Sequence, residues 1–160
     1  MDWEQRLEKL WASMDDHEEK IFIAKMDQLV AELPATSAVG LYERGSAFDS
    51  TGHSDLAVPL YRDALKRGLP ESRRRQAVIQ LASSLRNLGQ ATESVALLTA
   101  ERNRGSDELD DAVYAFLALA LIDVGREKEA VSISLTALSR HMTRYKRSVE
   151  NYAKDISDKA

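Results

Sequence analysis

The sequence predicts an all-α fold in which about three helical hairpins follow one another as a linear array. The first observation is self-similarity around Gly52, Gly89 and Gly125, which are 37 and 36 residues apart. The second is composition, since the 160 residues include only three prolines and seven glycines. Small residues lie seven positions before and five positions after each repeated glycine, namely Gly45, Ala82, Ala118, Ala57, Ser94 and Ala130. Such a period is typical of helical repeats, which present surfaces rather than enclosed active sites.

Composition and charge bound the class of protein. Apolar residues make up 44% and charged residues 30%, which suits one globular domain. No cysteine is present, which excludes thiolate chemistry, and no apolar run is long enough to cross a bilayer. The acidic N-terminus lacks the features of a secretory signal. We therefore expect a cytoplasmic protein that does not associate with membranes.

The net charge of −4 is unevenly distributed along the chain. Residues 1–33 carry nine acids and four bases, whereas residues 62–75 carry six bases and two acids. Two interpretations are open. The charges are either solvated helix faces, or an acidic arm meets a basic surface within one chain or between two chains.

Residues 1–34 are predicted to form two amphipathic helices. Trp3, Leu7 and Leu10 share one helical face, and Trp11 lies beside it. A capping box formed by residues 16 and 19 is predicted to start the second helix, and the proline at position 34 ends it. We interpret this segment as an arm for packing or dimerisation, with Trp3, Leu7 and Trp11 as the anchors.

Residues 35–141 are predicted to hold three hairpins, at about 38–71, 75–105 and 111–141. The expected helices span about 36–50, 54–67, 71–88, 91–103, 106–124 and 127–140, with an N-cap within residues 106–109. Residues 142–160 are predicted to form a capping helix and tail. Its apolar stripe follows a spacing of three and four residues, through Met142, Tyr145, Val149, Tyr152 and Ile156.

The first hairpin resembles a tetratricopeptide repeat (TPR). The pattern of small, large apolar and aromatic places, with a proline near the end, is filled by Gly45, Phe48, Ala57, Tyr61, Ala64 and Pro70. The second and third hairpins lack the aromatic residue and the proline. The overall plan resembles small bacterial proteins made of little beyond these repeats. The resemblance implies a right-handed α-solenoid that acts, without a cofactor, as a non-catalytic protein–protein interaction module.

The resemblance also implies a concave groove that is lined by the first helix of each hairpin and binds a peptide or helix of unknown identity. The groove places hold polar residues at one end and apolar residues at the other: Tyr42, Ser46, Asp49, Gln76, Ile79, Ser83, Arg86, Asn87, Ala115, Leu119 and Ile122. No cation fills the places of the family's carboxylate clamp, which argues against that function. Arg86 is expected either to bind a ligand or to pair with Asp49 or Asp123.

Two other functions are weighed against this one. The chain is alternatively a self-assembling homodimer whose groove is filled by its own or a partner copy's N-terminal helix. A nucleic-acid-associated regulator is suggested by Arg73, Arg74 and Arg75, but consecutive residues spread around a helix and the sequence pI is about 5.4. The histidines, at positions 17, 53 and 141, lack metal-site spacing. We expect no catalytic residue and no metal.

Overall fold

The computed structural model of the chain describes residues 1–158, and these residues form helices and connecting turns without a strand. A short 3-10 turn at Met14–Asp16 joins the first two helices. The helices are α1 (Trp3–Ala12), α2 (Glu19–Val30), α3 (Ala38–Ser50), α4 (Ser54–Arg67), α5 (Glu71–Asn87), α6 (Ala91–Arg104), α7 (Asp110–Asp123), α8 (Glu127–Ser139) and α9 (Lys146–Asp158). The predicted all-α fold is confirmed.

The chain divides into two compact units. The N-terminal unit ends at Ser84 and the C-terminal unit begins at Leu85, so the division falls within α5. Each helix packs on the next in the series α1 to α4 of the first unit and α6 to α9 of the second. Arrays of repeats divide in this way because each repeat contacts only its neighbours.

The first hairpin, α3 and α4, follows the sequence closely. Ser37 caps α3 by accepting a hydrogen bond from the backbone of Gly40. The turn between the helices contains Gly52, whose φ of 88° lies in the left-handed region that favours glycine. Helix α4 spans the predicted residues and ends at Gly68, which has a φ of 89°. Local signals were sufficient here because capping and turn residues act on their immediate neighbours.

The two helices of this hairpin cross where the small residues lie. A Cβ atom on Gly45 would lie 3.1 Å from the Tyr61 ring, and Ala57, Tyr61 and Ala64 are each fully buried. In the C-terminal unit, the core of α7 consists of Val113, Leu117 and Leu121, and Ala130 of α8 is buried as well. The close helix packing predicted at the small residues is confirmed at Gly45, and the small residues predicted for α7 and α8, Ala118 and Ala130, are buried.

Two predicted helix starts were wrong. Helix α2 begins at Glu19 with no side-chain cap, because Asp16 lies in the preceding 3-10 turn and is too early to cap it. The capping box is instead at α1, where Asp2 and Gln5 exchange hydrogen bonds. Helix α7 begins at Asp110, four residues later than predicted, although its N-cap residue, Leu109, lies within the predicted N-cap region. Its preceding loop is stabilised by hydrogen bonds from the backbone to aspartate carboxylates, which compete with helix formation.

The stripe predicted for the C-terminal helix was wrong in part: Val149 and Ile156 are partly buried, whereas the two tyrosines are exposed. Helix α9 begins at Lys146, and Tyr145 precedes it with a φ of 63° and 72% exposure. Tyr152 is 66% exposed, whereas the neighbouring Ala153 is fully buried. The Ser132 hydroxyl on α8 donates to the Ala153 carbonyl over 2.6 Å. A small residue therefore sets the inward face, because α9 lies too close to α8 there for a tyrosine ring.

Within residues 1–158, no helix is both long enough and apolar enough to span a membrane.

Candidate functional site

Helix α1 is packed within its own chain through a hydrophobic cluster. The buried members come from α1, α2 and α3, with partly buried residues around them: Leu7, Phe22, Met26, Leu29 and Ala47, flanked by Trp3, Leu10, Trp11, Met14 and Val30. The Trp11 and Phe22 rings lie 5.2 Å apart. Burial of this much apolar surface holds α1 against the first hairpin.

Both tryptophan indoles are also hydrogen bonded. Trp3 Nε1 donates to the Leu29 carbonyl over 2.9 Å, and Trp11 Nε1 donates to the Glu43 carboxylate over 3.0 Å. An interface that used Trp3, Leu7 and Trp11 as dimer anchors would first have to break these contacts. The structure therefore gives these three residues contacts within the chain, in line with the packing alternative.

One cavity of about 630 Å³ in the N-terminal unit lies between α1, α3 and α5. We call it the N-terminal cavity. Helices α3 and α5 are the first helices of their hairpins, so the cavity lies where the resemblance places a groove, and α1 forms an additional wall. Its lining residues are Glu4, Leu7, Glu8 and Trp11 from α1, Tyr42, Glu43, Ser46 and Ser50 from α3, and Ser72, Arg73, Gln76 and Gln80 from α5.

A charged network on one wall of the cavity joins the three helices. Glu43 is 4% exposed and accepts hydrogen bonds from Trp11 and, over 3.0 Å, from Arg73 Nε. Arg73 also donates to Glu4 over 2.6 Å. Burial raises the pKa of Glu43 because it disfavours the charged form, and the two donors only partly offset this effect. The pKa of Arg73 is raised because hydrogen bonds to Glu4 and Glu43 outweigh its opposing desolvation.

This network predicts a pH-dependent loss of stability in an Arg73→Gln variant. Without the guanidinium, the folded-state pKa of Glu43 rises further above its unfolded value. We expect the variant to lose about 1–2 kcal/mol near pH 7.5, where a buried carboxylate has lost its charged partner. The loss is expected to shrink as the pH falls through the folded pKa, because Glu43 then binds a proton in the folded state.

Urea denaturation of wild type and variant at several pH values measures this effect. Arg67→Gln is the matched control, since Arg67 pairs with Asp63 in an exposed i,i+4 ion pair. Such pairs contribute little. A loss in the Arg73 variant that does not change with pH would contradict the assigned role of Glu43.

The predicted groove residues of the N-terminal unit divide into two groups. Tyr42, Ser46 and Gln76 line the cavity, although Tyr42 and Ser46 are buried and donate to Gln76 and Gln80 respectively. Burial raises the pKa of Tyr42 to about 12. Its hydroxyl therefore remains a hydrogen-bond donor at neutral pH.

The remaining predicted residues of this unit face elsewhere. Ile79 is 6% exposed and belongs to the core, and Ser83 is half-buried outside the cavity lining. Asp49 is half-buried and accepts hydrogen bonds from Ser84 of α5 over 2.7 Å and from Tyr61 of α4 over 3.3 Å. Neither Ile79 nor Asp49 lines the N-terminal cavity, and both stay predictions as contact residues.

The sequence prediction missed Glu4, Glu8, Glu43, Ser72 and Arg73 as cavity residues. The charge asymmetry between residues 1–33 and 62–75 was the sequence feature that could have indicated Glu4, Glu8 and Arg73. The ion pair of Glu4 with Arg73 is a contact between an acidic arm and a basic segment within one chain. No local spacing rule finds such a pair, because its members are 69 positions apart.

In the C-terminal unit, Arg86 pairs with Asp123 over 2.6 Å, which settles the choice between its two predicted carboxylate partners. Asn87 is exposed. Ala115, Leu119 and Ile122 form an exposed apolar stripe on α7, with Leu119 41% and Ile122 51% exposed. Their role as groove residues stays a prediction.

The arginine run and two of the histidines noted in the sequence have specific contacts within the chain. The arginines at 73–75 do not form one surface stripe, since Arg73 and Arg74 pair with carboxylates and Arg75 is 5% exposed. His53 and His141 each contact a single carboxylate, on Glu19 and Asp111. Across residues 1–158, no three His, Cys, Asp or Glu side chains are grouped closely enough to hold a metal.

Hairpins packed through small residues, with a cavity bordered by their first helices, define a helical repeat protein. The family model described as "Tetratrico peptide repeat" matches residues 38–156, and the chain belongs to this family. Its members are generally non-catalytic and act as protein–protein interaction modules. Comparison with curated proteins finds no match, and comparison with solved structures finds none.

Proposed function

We propose that this chain is a non-catalytic adaptor whose N-terminal cavity binds a peptide or helix of a partner protein. The observation that carries the proposal is the position of the cavity, which is bordered by α3 and α5, the first helices of two consecutive hairpins. Its volume of about 630 Å³ suits a few side chains of a bound segment. A cytoplasmic location is part of the proposal and fits the cysteine-free composition.

The chemistry of the lining supports a peptide as the occupant. Ser50 and Ser72 are exposed hydroxyl groups at the cavity, and the Gln80 side chain lines it as well. Groups of this kind hydrogen bond to the backbone of an extended segment, whereas the partly buried Trp11 offers apolar contact. For the C-terminal unit, taken by itself, Arg86, Asn87, Ala115, Leu119 and Ile122 are proposed as partner-contact residues separate from the N-terminal cavity.

The alternative function is a homodimer in which α1 fills the groove of a second copy. One observation supports this alternative: α1 borders the N-terminal cavity of its own chain. Exchange of α1 between two copies would preserve the same contacts. Light scattering on the full chain distinguishes the two, since a monomer at all concentrations contradicts the dimer.

The adaptor proposal predicts that filling the cavity abolishes partner capture. Ser72→Trp places a large side chain at the cavity from an exposed position in the first turn of α5. Ser148→Trp is the matched control, since Ser148 is exposed on α9 outside this cavity. We expect affinity capture from native lysate, read by mass spectrometry, to recover a partner with wild type and the control but not with Ser72→Trp. Equal recovery by all three proteins would refute the assignment of the cavity.

A further inference from the structure

The N-terminal cavity carries an excess of negative charge. Its lining includes three carboxylates, on Glu4, Glu8 and Glu43, and a single guanidinium, on Arg73. The formal charge of the lining is therefore −2. A charge excess inside a concave site attracts ligands of opposite sign, because the low-dielectric walls strengthen the local field.

The one cation of the cavity is already engaged. Arg73 donates from Nε to Glu43 over 3.0 Å and from a terminal nitrogen to Glu4 over 2.6 Å. These bonds use two of the five N–H donors of the guanidinium, and the two carboxylates already offset its charge. An acidic ligand would gain little from Arg73 and would be repelled by the three carboxylates of the lining, including the buried Glu43. The network therefore disfavours acidic peptides.

The third carboxylate is available to a ligand. Glu8 is exposed on α1, and within the described chain it makes no ion pair. It lies one helical turn after Glu4 and beside Leu7, and Trp11 follows three residues later on the same helix. The wall thus combines an unpaired carboxylate with apolar and aromatic side chains. Long basic side chains fit such a wall, because their stems cover apolar surface while their heads meet the carboxylate.

We propose that the N-terminal cavity selects a basic peptide segment, in which a Lys or Arg side chain pairs with Glu8 and lies along Trp11. The inference rests on the proposed function and adds the chemistry of its ligand. The engaged Arg73 and the unpaired Glu8 act in the same direction, since the first offers acidic segments little attraction and the second attracts basic ones.

Selection of random dodecapeptides displayed on phage, with the full chain as bait, tests this proposal. We expect enriched peptides to contain more Lys and Arg than the input library. By fluorescence anisotropy, an enriched synthetic peptide is expected to bind Glu8→Lys about tenfold more weakly than wild type, with Glu8→Gln between them. Added salt is expected to weaken binding to wild type, since the pair is partly exposed. Glu18→Lys is the matched control, because Glu18 is an exposed glutamate outside the cavity, and it is expected to bind as wild type does.

The outcomes separate this inference from the function on which it rests. Enriched peptides without a basic bias, or equal binding to wild type and Glu8→Lys, would overturn the charge preference alone. If these peptides still fail to bind Ser72→Trp, the cavity remains a peptide site. Failure to enrich any peptide on wild type would overturn both proposals.

Discussion

Replacement of Tyr61 by alanine is expected to lower the free energy of unfolding by about 3–5 kcal/mol. The Tyr61 side chain is fully buried in the first hairpin, and its ring lies 6.1 Å from that of Tyr42. Its hydroxyl lies within hydrogen-bond distance of two acceptors, the Asp49 carboxylate at 3.3 Å and the Ser46 hydroxyl at 3.4 Å. The variant therefore loses a large packed ring, and Asp49 and Ser46 lose a hydrogen-bond donor.

Denaturation by urea, followed by circular dichroism, measures the effect. Tyr61→Phe separates the ring from the hydroxyl and is expected to lose about 1 kcal/mol, since Asp49 keeps its bond from Ser84. Tyr152→Ala is the control for loss of a tyrosine, because Tyr152 is 66% exposed. It is expected to stay within about 0.5 kcal/mol of wild type. The same midpoint for Tyr61→Ala and Tyr152→Ala would show that the hairpin core has been misassigned.

The second large effect is expected from Gly45→Leu, at about 3 kcal/mol. A Cβ atom at this position already lies 3.1 Å from the Tyr61 ring and 3.3 Å from Leu60 Cβ. The rest of a leucine side chain has no space between α3 and α4, so the helices must separate. Overpacking of a core typically costs about 1–3 kcal/mol, and the upper end is expected because the first atom already crowds its neighbours.

A graded series tests the overpacking argument. Gly45→Ala is expected to lie within about 1 kcal/mol of wild type, because its better helix propensity offsets the tight contact. Ala24→Leu is the control for adding a leucine to a helix, since Ala24 is exposed on α2. An unchanged melting temperature for Gly45→Leu would contradict the close crossing of the two helices.

The hairpins could be predicted from the sequence because their determinants are local and repeated. Gly52 and Gly68 have positive φ at the ends of α3 and α4, as their places in the pattern indicate. The stripe on α9 could not be predicted correctly, because periodicity alone does not distinguish Tyr152 from its neighbour Ala153. The choice between them is made by the distance to α8, which is a property of the packed unit.

The candidate site was predicted only in part, for a related reason. Tyr42, Ser46 and Gln76 follow from the repeat pattern, and they do line the N-terminal cavity. Two other residues that line this cavity could not be predicted from the pattern. Glu8 lies on α1, outside the repeats, and Arg73 lies on α5 at a position that the repeat pattern does not specify. The packing of α1 brings these two residues to the same cavity. Neither helical periodicity nor residue type predicts where a flanking helix packs.

The location of both tryptophans on α1 gives the chain a built-in optical reporter. The sequence contains two tryptophans, and each indole donates to a different neighbour, the Leu29 carbonyl and the Glu43 carboxylate. All tryptophan emission therefore originates from the helix that walls the cavity. In a Trp3→Phe background, the emission wavelength and quenching of Trp11 alone would follow occupancy of the cavity or release of α1. No dye or label is needed for such a titration.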